Sequence, residues 1–254
     1  AETHNIFPPD SMTNDYIDFV RLRPRLSDTI PGEELHMECL LDIGTAKQDS
    51  SFNIAATCCY GASQDPVKIN EIWTMKAKEL KSEGESEESI AYAHKDWLLL
   101  EAKRYIIPDS FEFIIESVGP FTNITIMYKA TYIMLEKLKS ITNAFQTNES
   151  LINVSDTTIE NSYDITLENE DYTLGKVLEY ILYQKHYNKD AESGSDKKLT
   201  FCGFKKPHPH SNNSIIRLGF VDPTPTHDVI AYLTSAINDA ITIFEYISSE
   251  FSED

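Results

Sequence analysis

Residues 199–220 read LTFCGFKKPHPHSNNSIIRLGF. Two apolar, β-prone runs, 199–204 and 214–221, flank the turn KKPHPHSNN, whose prolines and paired asparagines favour a reversal of the chain. The spacing predicts two short strands. Upstream, Tyr163, Ile165 and Leu167 alternate as a further strand, and a helix follows from Asp171, whose carboxylate suits an N-cap. Leu174, Val177, Leu178, Ile181 and Leu182 form one stripe along that helix. Downstream, a closing helix starts near Thr226, with Asp228 favoured in its first turn by the helix dipole. Ile230, Leu233, Ile237, Ile241, Phe244, Ile247 and Phe251 keep helical spacing to its end. The order is β-α-β-β-α, an α+β unit. The polar stretch KDAESGSDKK before its second strand reads as flexible.

At 254 residues, of which 41% are hydrophobic, the chain is long enough for two modest domains with real cores. Its formal charge of −19 argues against a surface that grips phosphate, because that task needs a stripe of Lys and Arg. The cysteines, Cys39, Cys58, Cys59 and Cys202, have no CxxC spacing, so no structural zinc is expected. Cys39 and Cys58 fall on the apolar side of alternating patterns, where a free thiol acts as a small hydrophobe, and a reducing compartment follows. The sequons at Asn123, Asn148, Asn153 and Asn212 carry no weight in an intracellular protein. No apolar run reaches the roughly 18 residues that span a bilayer, and a soluble protein without membrane partners is expected.

Chemistry is not signalled. His208 and His210 sit in a Pro- and Asn-rich turn without a carboxylate or thiolate at ligand spacing. His36 with Glu38, and His94 with Asp96, have no nucleophile beside them. No phosphate-binding glycine loop, nucleophile elbow or zinc-protease helix occurs. No catalytic residue, metal or cofactor is expected.

In the amino-terminal half, EELHMECLLDI at 33–43 alternates, with Leu35, Met37, Cys39, Leu41 and Ile43 on one side. Phe52, Ile54, Ala56, Cys58 and Tyr60 repeat the pattern, and the two runs are expected to pair as antiparallel strands. From Pro66 to about Tyr105 the spacing is helical, interrupted by the solvated loop KSEGESEES. Residues 111–118, FEFIIESV, form a strand closed by Gly119-Pro120, and Thr122 or Asn123 caps a long helix running towards Phe145. That helix carries Ile126, Met127, Ala130, Ile133, Met134 and Leu138 on a broad apolar face. Residues 143–158 are polar and without period, which suits a linker between domains. The apolar faces of the helices at 123–145 and 227–251 are wider than a small sheet covers. Core packing within each domain and helix-on-helix dimerisation both account for that width.

The carboxy-terminal unit resembles the small assembly subunit of cellular RNA polymerases, called L in archaea and the eleventh subunit in eukaryotic polymerase II. The carrying segments are ENEDYTLGKVLEY at 168–180 and the 199–220 stretch, with Phe201, Cys202, Gly203, Phe204, Pro207, His208 and Pro209 on the family's motif. Tyr172 and Lys176 stand where that family has histidine and asparagine. The amino-terminal unit is similar to the larger partner, archaeal D or the eukaryotic third subunit, related to the bacterial alpha amino-terminal domain. The likeness rests on FEFIIESVGPFTNITIMYKATYIMLEKL at 111–138. LLDIGTAKQDSSFNIAATCCY at 40–60 occupies the place of a family loop, keeping Ile43 and Gly44 but lacking its histidine and tryptophan.

The resemblance implies two alpha-amino-terminal-like, ferredoxin-like dimerisation units in one chain. Residues 1–142 would form the D-like unit, with an inserted β-rich domain over about 1–110 and a strand plus dimerisation helix at 111–142. A linker at 143–158 and an L-like domain at 159–254 would follow. The family's opening dimerisation strand and helix are missing, which implies either a fragment or segments supplied by another chain. The implied dimer interface comprises Met127, Ala130, Met134 and Leu138 with Leu174, Leu178, Ile181, Leu233, Ile237, Ile241 and Phe244. Ile43, Gly44, Lys47 and Phe52 would line a loop contacting a partner subunit. The implied partners are the largest and second-largest polymerase subunits, which hold the catalysis, and small assembly subunits. Fusion of the two halves is similar to the arrangement in large DNA viruses, which implies the host cytoplasm and the virion as locations. A free-standing interaction protein with the same fold and an uncharacterised enzyme stand as the alternative classes.

Overall fold

β1 (Ala55–Gln64) pairs antiparallel with β2 (Ile106–Ser117) in the computed structural model of the chain, which describes residues 3–10, 12–16, 18–119, 121–187 and 198–252. The register sets Cys58 opposite Ile115, Tyr60 opposite Phe113 and Ala62 opposite Phe111. These strands belong to the first of two compact units, Ala1–Phe121 and Thr122–Asp254. A single helical turn, α1 (Thr3–Ile6), lies near its start. α2 (Pro66–Ser82) begins where the Asp65 carboxylate accepts the backbone N–H groups of Val67 and Lys68, with proline at its first position. α3 (Glu87–Leu99) is capped by Ser86, whose hydroxyl accepts the Ser89 N–H. Trp97, buried at the end of α3, is the anchor of this unit. Trp73 lies 5.5 Å from it and stacks at 4.3 Å on His94.

Two expectations for this unit do not hold. Residues 33–43 form no strand, and Leu35, Met37, Cys39, Leu41 and Ile43 are exposed, Ile43 to 94%. The run at 52–60 finds its partner in β2 instead, and Cys58 is exposed as well. Alternation states which side chains share a face; it does not supply the neighbouring strand that would cover that face. Among the described residues of 1–110, β1 and the beginning of β2 are the strands, and α2 with α3 outweighs them, so the stretch is not β-rich. The helical apolar spacing from Pro66 onward accounts for this.

In the second unit α4 (Asn123–Thr147) is capped by Thr122, whose hydroxyl accepts the Thr125 N–H. It is followed by β3 (Ile152–Val154), β4 (Ser162–Leu167), α5 (Tyr172–His186), β5 (Leu199–Lys205), β6 (Ser214–Phe220) and α6 (Thr226–Glu250). The sheet order is β3-β4-β6-β5, with all neighbours antiparallel. Ile165 and Leu167 of β4 and Ile216 and Leu218 of β6 join the apolar stripes of the three helices in one core. Strand periodicity turns the intervening residues, Asp164 and Arg217, to the opposite face. There, at directly opposed positions, the guanidinium donates two hydrogen bonds to the carboxylate.

Residues 143–158, expected as a linker, hold the last turn of α4, a 3-10 turn and β3, and Phe145, Leu151 and Ile152 are buried in the core. Apolar residues standing singly or in pairs among polar ones leave no period to read, and a three-residue strand is too short to show alternation. Most of the stretch KDAESGSDKK, read as flexible, lies outside the described residues.

Candidate dimerisation interface

The apolar stripes of α4 and α6 meet in the core of the second unit. α4 contributes Met134, Leu138, Ile141 and Phe145; α6 contributes Val229, Leu233, Ala236, Ile237 and Ala240. Leu138, Leu233 and Ile237 are fully buried. Ala236 and Ala240 keep the buried face of α6 shallow, which lets a neighbouring element approach closely. Removing a side chain such as Leu138 from water contributes on the order of 2 kcal/mol, so a stripe of this length is a large share of what holds α4.

α5 completes the helical arrangement. Asp171 caps it by accepting the Thr173 N–H, and Leu174, Leu178 and Leu182 are fully buried. A side chain at Gly175 would place its Cβ 2.0 Å from the Phe204 ring, so glycine permits the close packing of α5 on β5. Glu179 accepts the Phe204 N–H at 3.0 Å, turning a carboxylate to a backbone donor of the edge strand β5. Lys185 donates to Ser235 and Asp239 of α6 at 2.9 and 2.6 Å. Beside it the His186 ring meets Tyr232 edge-on at 4.8 Å, and burial first, then the Lys185 charge, pushes its pKa below the ordinary value.

α4 is also tied to the sheet by charge. Lys137 donates to Glu170 at 2.8 Å, at the turn that precedes α5. A groove of about 540 Å³ runs beside this pair, lined by Tyr132, Ile133 and Ser140 of α4 and by Leu167 and Asn169.

The structure therefore brings most of the expected interface residues together. Met134, Leu138, Leu174, Leu178, Leu233 and Ile237 are buried in one core, and Ile181, Ile241 and Phe244 pack against it half-buried. Met127 is half-buried and Ala130 is exposed. The buried face of α4 runs through Thr131, Met134, Leu135, Leu138, Ile141 and Phe145, while Ile133 is exposed. Ile141 and Phe145 were legible as continuations of the Met134–Leu138 spacing, but they lie where the chain turns polar. In the amino-terminal unit, Gly44 and Phe52 are brought together, since a Cβ on Gly44 would lie 2.5 Å from the Phe52 ring, whereas Ile43 and Lys47 are exposed. Among the described residues no group of His, Cys, Asp or Glu is arranged to hold a metal ion, and no helix is long and apolar enough to cross a membrane.

Comparison with known proteins bears on the same elements. The chain is 33% identical over 91 residues to the DNA-directed RNA polymerase II subunit RPB11 of Schizosaccharomyces pombe, an alignment covering 36% of this chain and 63% of that protein. It is 30% identical over 86 residues to the probable DNA-directed RNA polymerase II subunit RPB11 of Caenorhabditis briggsae, covering 34% of this chain and 59% of the relative. The corresponding Caenorhabditis elegans protein gives the same identity and coverage. The chain thus spans about six-tenths of the length of these curated relatives. Residues 162–250, from the first residue of β4 to the last of α6, match the family model of the RNA polymerase Rpb3/Rpb11 dimerisation domain.

Proposed function

We propose that the chain is a non-catalytic assembly subunit of a multisubunit DNA-directed RNA polymerase, with both pairing halves fused in one polypeptide. The observation that carries this reading is the burial of α4 against α6. A helix outside the matched domain, and following the FEFIIESVG strand, supplies an apolar stripe to the core of that domain. In a two-chain arrangement such a stripe would have to come from a partner. Here it is covalently attached, which raises its effective concentration without any new contact. The match to the dimerisation domain and the RPB11-named relatives support the polymerase context.

In this reading residues 1–142 are the D-like half and 159–254 the L-like half, and together they form the platform on which the two largest subunits assemble. Catalysis resides in those partners, and small assembly subunits complete the neighbourhood. The fusion is of the kind encoded by large DNA viruses, placing the protein in the host cytoplasm and the virion. Affinity purification of the tagged chain from its native source tests the reading. Co-recovery of the two largest polymerase subunits is expected; recovery of the folded chain without them would leave a free-standing interaction module.

A further inference from the structure

The four-stranded sheet of the second unit has two unlike edges. β3 has three residues, too few to template another chain. β5, at the other edge, has seven, LTFCGFK, with two phenylalanines and a threonine that favour strand pairing. In an antiparallel ladder every second residue of an edge strand turns its N–H and C=O away from the neighbouring strand. The Phe204 N–H is one of these, because it donates to the Glu179 side chain and not to β6. Cys202, two residues earlier in the same regular stretch of register, belongs to the same outward set. Glu179 lies on α5, and both its carboxylate oxygens are engaged. Oε1 accepts the Phe204 N–H at 3.0 Å, and Oε2 accepts from Lys176, one turn earlier on the helix. The Glu179 side chain is 19% exposed, so the carboxylate lies against the strand and not out in solvent. Its backbone carbonyl accepts the Cys202 thiol at 3.6 Å, which fixes this turn of α5 over the strand.

We propose that Glu179 guards this edge: its carboxylate blocks β5 against antiparallel pairing with the β5 of a second copy of the chain. A pairing strand must bring a carbonyl oxygen to the Phe204 N–H. That donor is already taken by a charge-assisted bond, stronger than the neutral bond that would replace it, and the carboxylate repels the incoming oxygen. The second copy is the strand to be excluded because identical edges meet antiparallel across a two-fold axis, each offering the other the same outward groups. The guard sits on a helix and not on the strand, so it reaches the edge without disturbing the ladder between β5 and β6. Lys176 holds the second carboxylate oxygen and keeps the side chain from swinging away into water.

The test uses the full chain, with sedimentation equilibrium and amide exchange followed over a range of protein concentrations. The wild-type chain sets the baseline mass. Glu179→Ala should raise the average mass towards about twice that baseline as concentration increases. In dilute solution its Phe204 amide, freed from the carboxylate, should exchange faster than in wild type, and it should slow again as copies pair. Glu179→Gln keeps a side-chain oxygen for the Phe204 N–H and should stay near the baseline. Glu179→Leu lacks an acceptor but fills the same space, and should associate as the alanine variant does. Retained amide protection at Leu178 and Ile216, both fully buried, verifies that the fold is kept. Baseline mass in both the alanine and leucine variants at every concentration would overturn the proposal. Association that leaves Phe204 exchange unchanged would do so too, since the copies would then meet elsewhere. Equal association of the glutamine and alanine variants would show that an oxygen at this place guards nothing. None of these outcomes bears on the packing of α4 against α6.

Discussion

Lys137 of α4 and Glu170, just before α5, join through a 2.8 Å charge-assisted hydrogen bond, and the Glu170 side chain is only 11% exposed. This pair fastens the helix that precedes the matched domain to the turn between its first strand and first helix. Lys137 is itself 41% exposed, so solvent screens the attraction. Lys137→Met is expected to cost about 1 kcal/mol by leaving a nearly buried carboxylate without its donor. Adding Glu170→Gln to that variant should recover part of the loss, because the orphaned charge is then gone. A double-mutant cycle from urea unfolding measures the coupling; additivity of the two substitutions would show that the contact holds nothing.

The thiols should separate sharply. Burial first, and then the nearby Glu179 charge, push the Cys202 thiol up to about 12, and its S–H points at the Glu179 carbonyl at 3.6 Å. Cys39, Cys58 and Cys59 are exposed. The thiolate is the reacting form, so a thiol reagent near pH 8 should modify three cysteines quickly and Cys202 only on unfolding. Mass spectrometry of the labelled peptides checks the order, and early labelling of Cys202 would contradict the packing of β5 against α5.

How far the sequence carried the reading depended on whether one chain contained both sides of each contact. β4, α5, β5, β6 and α6 were legible because each carries its own apolar period and the sheet with α5 finds its partners within that stretch, while α6 also packs on α4. Asp171 was legible as a cap, and Thr122 as one of two candidates with Asn123, since an N-cap is decided by a side chain and the next few backbone N–H groups. The strand expected at 33–43 failed for the opposite reason: Leu35, Met37 and Leu41 state a face, but no strand in the described chain pairs with it. Residues 143–158 read as a linker because Phe145 of α4, Leu151 of the 3-10 turn and Ile152 of β3 stand singly or in pairs among polar residues. Ile152 is positioned by the three-residue pairing of β3 with β4, a contact invisible to local periodicity. The Lys137–Glu170 pair spans 33 positions and has no sequence signature at all.

Acid should weaken the second unit through Asp164. The hydrogen bonds from Arg217 at 2.6 and 2.7 Å hold its carboxyl below the ordinary value of 3.8. In the unfolded chain the group protonates around that ordinary value, whereas in the folded chain it stays ionised to lower pH. Within that window the unfolded state binds more protons, so the stabilisation, fully present above the ordinary value, is lost as pH falls through the folded one. His186 acts in the same direction at milder acidity, since its depressed pKa makes the unfolded state the better proton acceptor just below the usual histidine range. Asp164→Asn should flatten the acid limb of a stability–pH curve and His186→Gln the limb nearer neutrality. Unchanged curves in both variants would remove these groups from the acid response.

The packing of α4 on α6 makes the most demanding prediction. If the stripe through Met134, Leu138 and Ile141 is part of one core with Leu233 and Ile237, damage on α4 must be felt on α6. Leu138→Ala removes a fully buried side chain and is expected to cost about 2–5 kcal/mol, the range for such truncations in packed cores. Amide exchange at Leu233 and Ile237 should then quicken together with that at Leu138, although nothing on α6 has been altered. Replacing Ile237 and Ile241 by Asp approaches the same contact from the other side: a charge at the fully buried Ile237 has no partner, and the cost of several kcal/mol should abolish the cooperative transition of the unit. The milder variant separates shared packing from simple unfolding, because a unit weakened by about 3 kcal/mol can keep its native spectrum while its opening rates rise. Faster exchange confined to α4 in Leu138→Ala would mean that each helix completes its own core, and the internal platform proposed for polymerase assembly would lose its structural basis.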